Sequence, residues 1–193
     1  MRDSNSVRLI NPAIAIAKDN MPTTARLVLM RHAKSDWFSG EGDDFSRPLS
    51  DRGIRDARQM GRWLVDGGYL PAAILSSTSR RTRQTLELMA DGAGLDLAAR
   101  TEWLDELYHA SAGSLRNLLR RLGERPAVML LGHNPGLEEL LAFLVDDDRV
   151  IASHAKCFPT AAVYVLDVVG EWADLKAGCA RIVAHQRPKM LSA

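Results

Sequence analysis

Histidines and arginines stand directly after the buried stretches of this chain. Arg31 and His32 follow the apolar run 27–30, and His133 follows the run 127–131. Short apolar runs of this kind are typical of strands buried in a parallel sheet. In open α/β sheets, ligands bind just beyond the carboxyl ends of such strands. A cation and a titratable imidazole placed there indicate an anion site that contains a nucleophile or a base.

A third polar segment follows the apolar run 72–75 and carries Arg80, Arg81 and Arg83. If the three runs are parallel neighbours, one or more of these arginines meets the two histidines at one edge of the sheet. The guanidinium fork matches phosphate oxygens bidentately and keeps its charge at any working pH. Each motif alone is also typical of a surface pair, a helix start or a turn. Their shared placement favours a phosphoryl pocket.

A neutral imidazole is the nucleophile that such a pocket offers. Its unperturbed pKa of ~6.5 leaves a lone pair free near neutral pH, and a phosphohistidine divides hydrolysis into two displacements. Cys157 and Cys179 lie in no arginine-rich loop, which argues against a thiolate phosphatase. The sequence has neither a Gly-x-Ser-x-Gly elbow nor a Walker-type phosphate loop.

Metal ligation is the main chemical alternative for the same side chains. The candidate ligands are His32, Asp36, His109, His133 and His154. No pair of them shows a close ligand spacing such as His-x-x-x-His. We therefore expect no metal site.

The composition is that of a soluble globular protein. The 193 residues suit one domain with a sizeable core, and 46% of them are hydrophobic and 25% charged. The net charge of +1 favours neither nucleic acid nor an anionic membrane, and no apolar segment approaches the ~20 residues needed to span a bilayer. Two cysteines match a reducing compartment. We expect a cytoplasmic protein without nucleic-acid or membrane partners.

Strands and helices alternate along the chain. The predicted strands cover residues 26–30, 72–75, 127–131, 161–168 and 180–185. The predicted helices cover residues 51–66 with an N-cap at Ser50-Asp51, residues 79–91, a segment after Ser111 and residues 136–145. The remaining segments are loops at 36–49 and 146–158 and a less regular stretch at 95–110. This alternation predicts an α/β sandwich with a largely parallel sheet. We assign residues 25–193 to one domain and residues 1–24 to a flexible extension.

Four motifs in order resemble those of the histidine phosphatase (phosphoglycerate mutase-like) superfamily. Residues 31–33 are similar to its Arg-His-Gly signature, and residues 31–37 to its SixA-type phosphohistidine phosphatase branch. Residues 47–53 are similar to its Arg-Pro-Leu-Thr/Ser…Gly segment. Residues 77–85 are similar to Ser-Pro-x-x-Arg-Ala-x-Gln-Thr, and residues 132–136 to its second-histidine motif.

The resemblance runs from about residue 26 to the C-terminus and implies a role for each motif. It implies that His32 is the nucleophile that becomes phosphorylated, and that Arg31, Arg81 and His133 complete the phosphate pocket. It selects Arg81 from its two arginine neighbours, which become surface charges. It also implies a three-layer α/β/α sandwich with a mostly parallel central sheet, and no metal or organic cofactor.

The sequence departs from the family pattern at two small residues. Ala33 stands in place of glycine and Thr78 in place of proline, and both changes leave the expected pocket intact. Many members of the family protonate the leaving oxygen with a carboxylate, and Glu106 occupies the corresponding segment. We assign Glu106 as a candidate general acid. SixA-type enzymes need no such acid if the phosphoramidate nitrogen of the substrate is protonated more easily.

The leading hypothesis is a phosphatase that acts through phospho-His32 on a phosphohistidine carried by a protein. The connection over residues 77–111 has no long insertion that could cover a small sugar phosphate. The alternative substrates are a small phosphomonoester or a nucleotide. A mutase is disfavoured because no extra basic elements serve a second phosphate. A phosphate-dependent binding module is the alternative outside enzymes, and the intact set of four pocket residues argues against it. The sequence leaves the oligomeric state open.

Overall fold

The fold is seen in a computed structural model, which describes residues 25–146 and 158–191. Its sheet consists of β1 (Ala25–Arg31), β2 (Ala73–Ser77), β3 (Thr101–Leu104), β4 (Ala127–Gly132), β5 (Val163–Val168) and β6 (Ala180–Gln186). The spatial order of the strands is β3-β2-β4-β1-β5-β6. Only β5 runs against its neighbours, β1 and β6. The mostly parallel sheet predicted from the sequence is thereby confirmed.

Helices cover both faces of this sheet. They are α1 (Asp51–Asp66), α2 (Arg80–Ala93), α3 (Ala112–Arg120), α4 (Gly136–Val145) and the short α5 (Pro188–Leu191). Side chains alternate across a strand, so β1 sends Val28 and Met30 into the core beneath α1 and α2. Leu27 and Leu29 point to the opposite face and pack with α3 and α4. The result is the three-layer α/β/α sandwich that the family resemblance implied.

The start of α1 shows how local sequence fixes an element near the site. The Ser50 hydroxyl accepts a hydrogen bond from the Gly53 backbone N–H at 3.2 Å, which caps the helix as predicted. The same hydroxyl donates to the Lys34 carbonyl at 3.1 Å. The cap therefore also ties α1 to the segment that follows β1.

One strand was missed from the sequence. β3 lies inside the stretch 95–110, which we expected to be irregular. It is four residues long, stands at an edge of the sheet and is only partly buried. Edge strands of this kind lack the continuous apolar run that marks the buried strands. The predicted extension at 1–24 and residues 147–157 of the predicted loop lie outside the described residues.

Helices α1 and α2 approach each other through glycines. A β-carbon at Gly61 of α1 would overlap the carbonyl oxygen of Met89, and one at Gly92 of α2 would overlap that of Arg58. Because the backbones touch at both points, the position of α2 along α1 is fixed. Arg81 lies in the first turn of α2.

Within the described residues, the longest apolar helical stretch falls short of what a membrane crossing requires.

Candidate active site

Three parallel strands end at the same level, so that the segments after them meet. Arg31 at the end of β1 lies beside Gly132 at the end of β4. Ser76 of β2 pairs with Leu131 of β4. The next residues along the chain are His32, His133 and the first turn of α2. The carboxyl edge of the sheet thus carries all three of the polar segments that the sequence marks.

His32 is buried with one ring nitrogen bound and the other facing a cation. Its Nδ1 lies 2.7 Å from the carbonyl oxygen of Ala33. A carbonyl only accepts, so Nδ1 carries the hydrogen and the lone pair is on Nε2. Arg81 Nε donates to that Nε2 at 3.3 Å. The ring is therefore held in the tautomer in which Nε2 can attack an electrophile.

Arg81 joins the two histidines. The residue is 2% exposed, and its Nη2 donates to His133 Nδ1 at 3.2 Å while its Nε donates to His32. The two imidazole rings lie with their centroids 5.0 Å apart. A phosphoryl group between them would be in reach of two imidazoles and a guanidinium.

Buried hydroxyl groups hold Arg81 in place. Thr82 Oγ1 donates to the Ser77 carbonyl at 2.7 Å and so ties α2 to the end of β2. Thr85 Oγ1 donates to the Arg81 carbonyl at 2.6 Å and accepts from the Ala33 backbone N–H at 3.0 Å. The segment after β1 and the first turn of α2 are thus connected through one hydroxyl.

Arg31 lies at the end of β1 with one buried donor unpartnered by the residues that the structure describes. Its Nη1 donates to the Phe158 carbonyl at 3.0 Å. Asn134 Nδ2 donates to the same oxygen at 3.0 Å and to Glu138 Oε2 at 2.8 Å. The buried Arg31 Nε has no partner among the described residues. A buried donor without a partner is costly, and an anion in the pocket would remove that cost.

His133 is oriented by the end of β2. Because Arg81 Nη2 is a donor, His133 Nδ1 accepts, and its Nε2 carries the hydrogen. That nitrogen lies 3.0 Å from the Ser77 hydroxyl oxygen. The second imidazole is therefore held between a strand end and a helix start.

Burial and positive neighbours keep both imidazoles neutral. The pKa of His32 is lowered from 6.5 to about 3, first by burial and then by the charges of Arg81 and Arg31. The pKa of His133 is lowered to about 2, first by burial and then by His32 and Arg81. A neutral His32 has the free electron pair that a nucleophile needs at neutral pH.

Sequence reasoning missed an anionic residue in the pocket. Asp44 Oδ2 accepts from Arg81 Nη2 at 2.9 Å and from the Tyr108 hydroxyl at 2.8 Å. Asp44 Oδ1 pairs with Arg47 Nη2 at 2.7 Å. Asp44 lies in a loop with several acids, where no pattern separates it from its neighbours. The only signal is that Asp44 lies three residues before Arg47, which is the first residue of the family-like motif at 47–53.

Two aromatic residues from the stretch after β3 form one wall of the pocket mouth. The Tyr108 ring stands edge-on to His133 with centroids 5.4 Å apart, and His109 stacks on His133 at 5.8 Å. His109 has a φ of 55°, a conformation that costs free energy for a residue other than glycine. The backbone turns here so that the imidazole of His109 faces the site.

The carboxylate proposed as general acid is not in contact with the pocket. Glu106 Oε1 pairs with Arg121 Nη2 at 3.0 Å, and the Glu106 side chain is 53% exposed. Arg80 pairs with Glu41 at the surface, and the Arg83 guanidinium lies over the Trp103 ring at 4.4 Å. The structure thus brings together four residues, Arg31, His32, Arg81 and His133. The side chains of Glu106, Arg80 and Arg83 make contacts at the surface instead.

The other candidate ligands and nucleophiles lie elsewhere. Cys179 is buried in the core beneath α3 and α4, while Cys157 and His154 lie outside the described residues. Across residues 25–146 and 158–191, no three histidine, cysteine or acidic side chains are grouped as metal ligands.

Comparison with known proteins identifies the family of the chain. Residues 27–126 match the family model of the histidine phosphatase superfamily, branch 1. An uncharacterised protein of Mycobacterium tuberculosis strain H37Rv is 39% identical over 167 residues, which are 83% of this chain and 100% of that protein.

Solved structures give the same result. One crystal structure is that of an Agrobacterium tumefaciens protein provisionally named phosphohistidine phosphatase SixA. It has a TM-score of 0.72 at 32% identity, and the match covers 86% of this chain and 99% of that one. The protein histidine phosphatase SixA complexed with tungstate has a TM-score of 0.71 at 24% identity, with coverage of 86% and 99%; at this identity the likeness concerns the fold. The chain is an enzyme of the phosphatase type, and it belongs to the histidine phosphatase superfamily.

Proposed function

We propose that the protein is a SixA-type phosphohistidine phosphatase that acts through a covalent phosphohistidine on His32. The observation that supports this most directly is the neutral, buried His32 ring, whose Nδ1–H is bound by the Ala33 carbonyl. Its lone pair on Nε2 faces the Arg81 guanidinium, next to which a phosphoryl group would bind. A nucleophile and an anion-binding cation are thus adjacent.

The reaction proceeds in two displacements. In the first, the substrate imidazole has taken a proton from solvent on the ring nitrogen that is not bound to phosphorus. His32 Nε2 attacks phosphorus, the bond between phosphorus and the substrate nitrogen breaks, and the substrate leaves as a neutral imidazole. In the second, water attacks phosphorus and the bond to His32 breaks. Inorganic phosphate leaves, and His32 returns to its neutral form.

The cations of the pocket stabilise both transition states. Arg31 and Arg81 approach from the ends of β1 and β2 and offer donors to the equatorial oxygens, where charge is spread during phosphoryl transfer. A dianionic phosphoryl group also opposes the positive charges that lower the pKa of His133. We expect its imidazole to bind a proton more readily once substrate is present.

The mouth of this pocket suits a phosphohistidine that is carried by a protein. Between Ser77 and Ser111, the chain forms α2, β3 and short connections, so this stretch contributes no large insertion over the mouth. A phosphoramidate leaving group is also protonated without a strong enzymic acid. The surface ion pair of Glu106 with Arg121 agrees with a reaction that does not depend on that carboxylate. A phosphatase for small phosphomonoesters or nucleotides remains the alternative.

The setting of the reaction is part of the proposal. We infer a cytoplasmic enzyme without nucleic-acid or membrane partners, because the net charge is +1 and the chain has only two cysteines. We assign residues 25–193 to a single catalytic domain.

Trapping the phosphoenzyme tests the covalent mechanism. Brief incubation with phosphoramidate, followed by mapping of acid-labile phosphate, should label His32. His32→Ala should remove both the label and turnover, while His185→Ala, which changes a histidine on β6, should retain both. Turnover by His32→Ala would contradict the mechanism.

A substrate comparison tests the second half of the proposal. A phosphohistidine-bearing protein should be hydrolysed with a higher kcat/KM than p-nitrophenyl phosphate, sugar phosphates or nucleotides. The reverse order would support the small-molecule alternative. Tight binding of all these compounds without turnover would identify a binding module.

A further inference from the structure

Asp44 binds both terminal nitrogens of Arg81, the arginine that joins the two histidines of the phosphoryl pocket. Arg81 Nη1 donates to the Asp44 carbonyl oxygen at 2.5 Å, and Arg81 Nη2 donates to Asp44 Oδ2 at 2.9 Å. A guanidinium binds an oxyanion bidentately through neighbouring N–H groups. One residue therefore covers both terminal nitrogens of the buried arginine in the phosphoryl pocket.

The carboxylate is held there as an anion. Burial alone would raise the pKa of Asp44, but the Tyr108 hydrogen bond and the charges of Arg81 and Arg47 lower it to about 2. Tyr108 and Arg47 bind its two oxygens at 2.8 and 2.7 Å, and His109 Nε2 lies 3.4 Å from Oδ2. Asp44 thus has the charge and the donors that a phosphoryl group would need.

Arg81 cannot leave this contact easily, whereas Asp44 can. The Arg81 side chain is 3% exposed and also binds His32 and His133, while the Asp44 side chain is 39% exposed. Asp44 belongs to the loop between β1 and α1. When a second anion enters, the carboxylate is the partner that moves.

We propose that Asp44 is an internal anion of the phosphoryl pocket that competes with the substrate's phosphoryl group for Arg81. A phosphoryl group must exchange with its carboxylate at Arg81 before it can be attacked by His32. This requirement weakens the binding of every phosphoryl group by the same factor. A phosphoryl group on a protein also gains affinity from contacts outside the pocket, which a small phosphate lacks. The last point rests on the proposed function, whereas the exchange itself requires only the phosphoryl pocket.

Equilibrium binding of inorganic phosphate tests the exchange without turnover. Asp44→Asn keeps the size and an acceptor oxygen but removes the charge, so it should bind phosphate roughly tenfold more tightly, since hydrogen bonds to charged groups are the stronger ones. Asp43→Asn is the matched control. It removes the same charge one residue earlier, where the carboxylate accepts from the Ser46 backbone N–H, and it should change phosphate affinity by less than about twofold.

A second variant keeps the test decisive if Asp44→Asn does not fold. Tyr108→Phe removes one hydrogen bond from the carboxylate without changing any charge, and it should tighten phosphate binding by about two- to threefold. Thermal melting shows which variants are folded. Unchanged or weaker phosphate binding by the folded variants would overturn the proposal and make Asp44 a residue that only orients Arg81.

Steady-state kinetics gives a separate readout. With Asp44→Asn, kcat/KM should rise by a similar factor for a phosphohistidine protein and for p-nitrophenyl phosphate, because both phosphoryl groups exchange with the same carboxylate. If the wild-type enzyme has no phosphohistidine activity, the proposed function fails. The exchange is still decided by phosphate binding alone.

Discussion

The segments that follow β2 and β3 leave the same edge of the sheet, but Arg81 in the first is buried and Glu106 in the second is exposed. After β2, Ser79, Thr82 and Thr85 are completely buried and Arg81 is 2% exposed. After β3, Glu106 is half exposed and pairs with Arg121. Each segment carries a charged side chain that the sequence indicates for the reaction, Arg81 after β2 and Glu106 after β3. Of these two, only Arg81 contacts His32 and His133.

The difference shows what converts a strand end into a site. Arg81 has partners from two other strand ends, and burial prevents water from screening those contacts. An exposed ion pair such as Glu106–Arg121 contributes only about 0–1 kcal/mol to stability and holds its side chains weakly. A catalytic side chain must therefore lie at the carboxyl edge of the sheet, and it must also contact the residues that follow the neighbouring strands.

The largest expected effect comes from the arginines at the start of α2. Arg81→Ala should lower kcat/KM by on the order of 10²–10³, the usual loss for one oxyanion donor. Arg80→Ala removes the adjacent charge, which is paired with Glu41 at the surface, and should cost less than about threefold. Steady-state kinetics with one substrate measures both. Equal losses from the two variants would mean that burial does not separate these arginines.

Acid should destabilise the folded protein because His32 and His133 are buried as neutral side chains. The unfolded chain protonates His32 and His133 below pH 6.5, whereas the folded protein keeps them neutral down to about pH 3 and about pH 2. The unfolded state thus binds more protons, and stability falls as pH decreases. From pH 7 to pH 5, the two histidines together should reduce the free energy of unfolding by roughly 4 kcal/mol.

Urea unfolding at the two pH values measures this loss. His32→Asn cannot titrate in this range, so about half of the pH-dependent loss should disappear in that variant. His185→Asn on β6 provides a control outside the pocket. If wild type and His32→Asn lose the same free energy, the low pKa of His32 is contradicted.

The smallest effect on activity is expected from a change at the exposed Glu106. Glu106→Gln should leave hydrolysis of a phosphohistidine substrate unchanged within about twofold, because its carboxylate is engaged with Arg121 in water. The same variant should be assayed with p-nitrophenyl phosphate, with Glu102→Gln on β3 as control. A tenfold loss on the ester alone would assign Glu106 as an acid for oxygen leaving groups. No loss on either substrate would remove it from the mechanism.

The sequence predicts the parts of the fold that have periodic signals. Helix α1 lies where its apolar spacing and its Ser50 cap place it, and α4 covers the predicted residues 136–145, whereas β3 is too short and too exposed to give an apolar run. The choice of Arg81 among three neighbouring arginines needed the family resemblance, since helix spacing alone does not say which side chain faces the strand ends.

The contacts of Asp44 could not be predicted in this way. This loop residue meets Arg81 and Tyr108, which are 37 and 64 positions away in the chain. No local pattern encodes a pairing between a loop and such distant elements. Only the packed tertiary structure brings the carboxylate to the guanidinium.

The glycine contacts between α1 and α2 matter to anyone who redesigns this enzyme. Gly61 and Gly92 leave no room for a side chain, so even alanine at either position would force the two backbones apart and shift the helix that carries Arg81. Libraries that seek new substrates should keep this helix pair constant. The loop that carries Asp44 and the turn with Tyr108 and His109 offer positions where variation can reach the pocket without moving its scaffold.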